Sequence, residues 1–305
     1  MSDTAMAISH GAIAGGTILV PDLTQGIAAY RDTLGLELIE TGIILDDLAL
    51  QWGTPGIANQ AYAILRPTSG SECFVRLIES NIPEGFKPTT TYGWAAFEMT
   101  AQGVFDWAEK LADSNFEVIG PPREIAGLAY FVPMQALGPG REMIYLNEVR
   151  QPATPSNDLP EAKSPVDQIF ITVLAAPNRQ QACDWYCNNL NLDLGETHTI
   201  EYTMINKAFD QPAGTQSTLT MVQNGRMPIV EIDDYPDAAD TRQFPKGMLP
   251  PGNAMVTLFV KNLAELDLDW IRTPVIVDGA MYEGRKTGTV RGPAGEWLEL
   301  IEIAG

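Results

Sequence analysis

The chain has 305 residues, 45% of them hydrophobic, and carries 39 acidic against 19 basic side chains for a formal net charge of −20. That balance offers no basic footprint for a phosphate backbone, which sets nucleic acid aside as a partner. No stretch approaches the roughly 20 uninterrupted apolar residues of a membrane span, so a membrane is set aside too.

The first segment, "GGTILVPDLTQGIAAYRDTLGLELIE", runs from an apolar strand through a Pro-Asp turn that caps a helix, then leaves by Leu-Gly-Leu for a second strand. Pro55-Gly56 breaks the chain before two more strands, "AYAIL" and "CFVRLIE", and the result is a βαβββ module. The order returns in "WAAFEMTAQGVFDWAEKLADSNFEVIG" from 94. It returns again in "DQIFITVLAAPNRQQACDWYCNNLNLDLGE" from 167 and in "AMVTLFVKNLAELDLDWIRTPVIVDG" from 254. Between the second and third modules, "RQPATPSNDLPEAKSPV" holds four prolines among polar residues and reads as an extended linker. The expected organisation is a domain over 1–150, a linker over 151–166 and a second domain over 167–305.

The halves echo each other. "YRDTLGLELIETG" (30–42) matches "YCNNLNLDLGETH" (186–198), and "LGPGREMIYLNE" (137–148) matches "RGPAGEWLELIE" (291–302). Unrelated pairs at nearly one offset mean tandem duplication. "LVPDLTQGIAAYRDTLGLEL" and the ending "GPxGxxLEL" resemble vicinal oxygen chelate proteins, the superfamily of glyoxalase I, bleomycin-resistance proteins and extradiol dioxygenases. The resemblance spans all four modules. It implies an α+β fold of four βαβββ modules paired into two glyoxalase-like domains with curved mixed sheets, and one cleft per half.

In that superfamily a metal sits on first-strand and last-strand positions of a module. Counting along each module places the first-strand positions at Gly15, Trp94, Gln168 and Met255, and the last-strand positions at Arg76, Tyr145, Glu231 and Glu299. The N-terminal set has neither carboxylate nor imidazole and suits no divalent ion. Arg76 is either an outward, solvated charge or an inward anchor for a carboxylate or enolate. The C-terminal set, Gln168, Glu231, Met255 and Glu299, resembles the glyoxalase I ligand set with Met in place of an imidazole. His10 and His198 lie at no ligand position, so extradiol iron chemistry, which needs two His and one Glu, is set aside.

Three readings of Glu231 and Glu299 stand: a facing pair that raise each other's pKa and act as acid and base, structurally satisfied groups, or a weak metal site on Gln168, Glu231 and Glu299. Two long connections, 41–60 and 197–216, bring Leu48, Trp52, Tyr202, Met204, Ile205 and Phe209 towards the cleft mouths. Tyr30, Trp185 and Tyr186 read as helix residues packed on the sheets, and Cys183 and Cys187 as buried thiols. Three cysteines suit neither a disulfide framework nor a zinc site. With no basic stretch at the start of "MSDTAMAISHGAIAGG", the expected compartment is the cytoplasm.

Taken together, the sequence points to metal-independent lyase or isomerase chemistry by proton transfer on a small, partly apolar organic molecule. Glu299, Glu231 and Gln168 are the expected catalytic residues. Met255, Arg76, Trp94, Tyr145, Trp52, Tyr202 and Phe209 are expected to bind substrate, with no cofactor. The alternatives are a non-catalytic binding or resistance protein and a metal-dependent glyoxalase-type lyase. Edge strands and apolar loops leave a homodimer open.

Overall fold

The computed structural model describes residues 8–125, 128–151 and 157–303. Its first module comprises β1 (Ile13–Val20), α1 (Leu23–Ala28), β2 (Glu37–Ile43), α2 (Asp46–Gln51), β3 (Ala61–Arg66) and β4 (Phe74–Glu79). Asp22 caps α1, its carboxylate accepting from the Gln25 amide. The second module comprises β5 (Gly93–Ala101), α3 (Val104–Ala112), β6 (Glu117–Gly120), β7 (Phe131–Leu137) and β8 (Met143–Val149). The third comprises β9 (Val166–Ala176), α4 (Arg179–Leu190), β10 (Asp193–Glu201), α5 (Thr203–Ala208), β11 (Gln216–Asn224) and β12 (Met227–Asp234).

The fourth module is β13 (Asn253–Val260), β14 (Val275–Val277), β15 (Arg285–Arg291) and β16 (Trp297–Glu302), and it lacks the expected helix. A single 3-10 turn at Leu263–Glu265 stands in its place. The reason is in the sequence: Leu266, Leu268 and Trp270 alternate with Asp267 and Asp269, a period of two that lays an extended segment on the core.

The strands form two eight-stranded sheets, ordered β14-β15-β16-β13-β1-β4-β3-β2 and β10-β11-β12-β9-β5-β8-β7-β6. Each sheet therefore takes one module from each half, which corrects the expectation of one cleft per half. The centres are antiparallel pairs, β1 with β13 and β5 with β9. Duplication identifies a repeating unit but not its partner, because every module presents the same first-strand edge. The proline-rich connection joins the second and third modules, which pair. Its described part packs down, with Leu159 buried against Phe170 and Ile171 and Asp158 2.9 Å from Arg226.

The two sheets pack back to back over the main apolar core. They approach closely at Gly16, where an added Cβ would sit 2.4 Å from the Phe97 ring, so no larger residue fits. Two hydrogen bonds, repeated by the duplication, fasten the sheets. The Tyr30 hydroxyl donates to Glu142 at 2.8 Å and the Tyr186 hydroxyl to Glu296 at 2.8 Å. Each bolt joins a helix on one sheet to a Gly-Pro turn of the other, which gives "GPGRE" and "GPAGE" a structural role. Among the described residues, no helix is long and apolar enough to cross a membrane.

Candidate functional site

The concave face of the first sheet is occupied by the protein's own charges. Period-two alternation along β16 turns Leu298 and Leu300 to the core between the sheets and Glu299 to the concave side. Thr257 lies beside Glu299 in the ladder, and Thr17 beside Arg76. Glu299 accepts from Trp52 Nε1 at 2.7 Å, Tyr282 Oη at 2.9 Å, Thr257 Oγ1 at 2.8 Å and Arg76 Nη2 at 3.0 Å. Arg76 also donates to Thr17 at 2.9 Å and to the Tyr282 hydroxyl, and its guanidinium carbon lies 4.5 Å from the Trp52 ring centre.

Burial works against the Arg76 charge, but the Tyr282 and Glu299 oxygens outweigh it and hold its pKa above the ordinary value. Arg76 thus points inward, yet it is committed to Glu299. The 41–60 connection plugs this cleft, α2 delivering Trp52 into it. A cavity of about 280 Å³ remains outside the ion pair.

The second sheet presents like charges instead. Glu98 of β5 lies beside Tyr145 of β8, and Glu231 of β12 beside Val173 of β9. Both carboxyls line a cavity of about 620 Å³, walled by Ile171, Leu219, Met221, Phe131, Leu128 and Met204. Arg123, Glu196, His198 and Glu201 stand among its polar lining residues. Tyr202, placed by the turn into α5, donates to Glu231 Oε1 at 3.1 Å, and its oxygen lies 2.9 Å from the Tyr145 hydroxyl. With the Tyr202 proton directed at Glu231, Tyr145 donates to Tyr202. Burial first, with the Glu231 charge adding to it, keeps both phenols well above their ordinary range and therefore protonated.

Glu231 is only 7% exposed, and burial pushes its pKa up to about 7 against the hydrogen bonds from Tyr202 and Asp233. Glu98 stands well above the carboxylate range, through burial and then repulsion from Glu231, despite a 2.6 Å hydrogen bond from Asn147 Nδ2. Asp233 is raised in the same way by burial and by Glu231. Asn147 Oδ1 and Asp233 Oδ1 are buried without a hydrogen-bond partner among the described residues.

Several sequence-derived positions therefore move. Glu231 and Glu299 do not face one another, because their modules lie in different sheets; Glu231 faces Glu98, and Glu299 faces Arg76. Gln168 is half-buried near the start of β9 and meets neither Glu231 nor Glu299 as a ligand set. Met255 packs with Trp52 and Trp297 in an apolar cluster. Trp94 lies between the sheets, its indole donating to the Trp297 carbonyl at 2.7 Å. Phe209 meets Tyr235 edge-on at 5.9 Å, away from the cavity lining. Tyr145, Tyr202 and Glu231 share the large cavity, and Trp52 sits in the other cleft.

Glu98 was missed, although "AAFEM" carries the signal that singled out Glu299: a carboxylate inside an apolar strand. Strand bulges between Trp94 and Ala96 and between Glu98 and Met99 break the count that led to Trp94.

The residues present do not suit the metal that the superfamily implies. In the first cleft a guanidinium already neutralises the carboxylate. In the second, Glu98, Glu231 and Asp233 stand with phenols and an amide; His198 is on the cavity wall with Glu196 nearby, and His10 contacts the Leu190 carbonyl. Among the described residues, no group of three or more His, Cys, Asp or Glu side chains is placed to hold a metal ion.

No protein-family model matches the sequence, and no curated protein does. Solved structures do match. Glyoxalase I from Zea mays aligns over 95% of this chain and 92% of that one, with a TM-score of 0.61 at 17% identity. A proposed dioxygenase from Bacillus subtilis aligns over 98% of this chain and 87% of that one, with a TM-score of 0.59 at 12% identity. At such identities the likeness is one of fold. The chain has the α+β glyoxalase-like fold, built as two eight-stranded mixed sheets.

Proposed function

We propose that the cleft of the second and third modules performs proton transfer on a small, partly apolar organic molecule, with Glu231 as the group that takes and returns the proton. The observation that carries this reading is one side chain: a buried carboxylate with a pKa of about 7, opening on a cavity of about 620 Å³. A base poised near the working pH is present in its ionised form yet strong enough to accept a proton from carbon.

The chemistry follows from the lining. The apolar wall removes the substrate from water and fixes its body, so that an acidic C–H can approach Glu231. Proton abstraction leaves an electron pair that moves onto the neighbouring carbonyl oxygen. Return of the proton to a different carbon is an isomerisation, and expulsion of a leaving group is a lyase reaction. Tyr145 and Tyr202 hold the ionised carboxylate through their hydrogen-bond chain and keep it aimed into the cavity. No step calls on a metal.

The test is exchange from heavy water. A panel of small apolar ketones, incubated with the protein in D2O, is expected to gain deuterium beside the carbonyl for at least one member. Glu231→Gln should slow that exchange by about 10²–10⁴-fold, the usual worth of a positioned base. Ketones that bind without any exchange above the buffer rate would favour the second reading, a binding protein whose apolar walls sequester a ligand unchanged.

A further inference from the structure

We propose that Glu98 is the hydrogen-bond-donating acid of this cleft and that its ligands are neutral, enolisable carbonyl compounds with an apolar body. This rests on the proton-transfer reading of Glu231 and names the group that would receive the developing negative charge.

The geometry begins with Asn147. Its Nδ2 donates to Glu98 Oε2 at 2.6 Å, which makes Oε2 the acceptor oxygen of the carboxyl. In this proposal the other oxygen, Oε1, carries the proton towards the cavity that Glu98 lines. Glu231 on β12 and Asn147 on β8 act on Glu98, and Glu98 in turn acts on Asp233 of β12, Tyr145 of β8 and Tyr202 ahead of α5. None of them is a cation; Arg123 lines the same cavity but is not among the groups that shift Glu98. A buried carboxyl with an ionisable neighbour of its own sign and no counter-ion keeps its proton. Burial and Glu231 both raise it.

Glu98 and Glu231 are near enough to repel but are not hydrogen-bonded to each other; the hydrogen bonds to Glu231 come from Tyr202 and Asp233. Both line the cavity in which a ligand would sit. A carbonyl oxygen at the Glu98 hydroxyl and an acidic C–H at Glu231 complete the constellation. As Glu231 takes the proton, the C–H electron pair forms the enolate double bond and the carbonyl π pair moves to oxygen, where the Glu98 O–H donates to it. A neutral acid in an apolar site is a strong donor to an oxyanion, because no water competes.

A phenol imitates the enolate, with an oxygen that shares its charge with a planar apolar ring. The experiment measures binding of phenol, 4-nitrophenol and 2-naphthol beside toluene and naphthalene, by calorimetry, and of phenethylamine as a cationic control. Phenols are expected to bind about tenfold or more tighter than the hydrocarbons, rising with phenol acidity, and Glu98→Leu should remove that preference while leaving the hydrocarbons unchanged. In the unmodified protein, the infrared band of a protonated carboxyl, absent in Glu98→Gln, should shift to lower frequency when 2-naphthol binds. That reading needs only one isosteric variant and survives misfolding of Glu98→Leu.

Phenethylamine binding that is tighter than that of the phenols, is lost in Glu98→Gln and is kept in Glu231→Gln would overturn the proposal, since that pattern requires an ionised Glu98. Equal weakening of phenols and hydrocarbons in Glu98→Leu would also overturn it. Failure of deuterium exchange with the phenol preference intact would sink the proton-transfer reading alone and leave Glu98 as a recognition group.

Discussion

Replacing Glu299 by glutamine should cost about 3–5 kcal/mol of stability, and the structure says why so small a change is so expensive. All four partners of Glu299 are donors: Trp52 and Tyr282 on Oε1, Thr257 and Arg76 on Oε2. An amide must point its NH2 at one of these pairs, and two donors then face a donor. With its oxygen kept towards Arg76, glutamine opposes Trp52 and Tyr282. The Tyr282 hydroxyl cannot simply turn away, since its oxygen already accepts from Arg76. Two buried groups lose their acceptor at about 1–3 kcal/mol each, and breaking a buried ion pair by removing one charge costs about 3–5 kcal/mol.

These losses overlap, so about 4 kcal/mol is the expectation, a large share of the 5–15 kcal/mol typical of a folded protein. Urea denaturation followed by far-UV circular dichroism measures it, and the Tm should fall by roughly 10 °C. Arg76→Met alone should cost about as much. The double variant Arg76→Met with Glu299→Leu should recover most of the loss, because paired apolar replacement removes both desolvated charges. A loss below about 1 kcal/mol in Glu299→Gln would refute the reasoning, and so would simple additivity in the double variant.

Glu142 has a folded-state pKa of about 7, raised by burial against hydrogen bonds from Tyr30 and Gly140, while the unfolded chain titrates near the ordinary carboxylate value. The folded state holds that proton more tightly, so the stability it contributes is fully present below about pH 4.5 and is lost as pH rises to 7. The linkage amounts to about 3 kcal/mol, and Glu142→Gln should flatten the slope of stability against pH by that amount, whatever it does to the absolute level. Glu98→Gln, in contrast with Glu299→Gln, should change stability at pH 7 by less than about 1 kcal/mol, because the amide is a near isostere of a neutral acid and can still accept from Asn147. A loss above about 3 kcal/mol in the same urea assay would mean that Glu98 is ionised and paired.

The four modules were legible in the sequence because their evidence is local. An apolar run, a capped turn and a Leu-Gly-Leu exit are all read within about 30 residues, and duplication printed them more than once. The last-strand positions were legible for the same reason, since "CFVRLIE" and "WLELIE" alternate cleanly. Partner choice was not, because β1 offers the same antiparallel edge to β13 that it could offer to β5. That decision belongs to contacts far apart in sequence, such as Trp94 with Trp297 and Gly16 with Phe97. The first-strand positions failed at the bulges of β5, where a one-residue slip moves every later side chain to the other face.

The corrected pairing explains why two clefts of one ancestry differ in chemistry. In each, the inward positions of the strands bring two long ionisable side chains together in a buried space. The first sheet sets Arg76 against Glu299, and opposite charges satisfy each other, with Trp52 closing over them. The second sets Glu98 against Glu231; burial raises both, and the Glu231 charge raises Glu98 further. A satisfied pair contributes to folding and has no capacity left for a ligand. A repelling pair contributes no stability as ions, keeps a proton near neutral pH, and is poised to exchange it with whatever fills the cavity. The carboxylate in "WLELIE" is thus held by four donors of the fold, and the one in "AAFEM" is the one proposed to have a proton to offer.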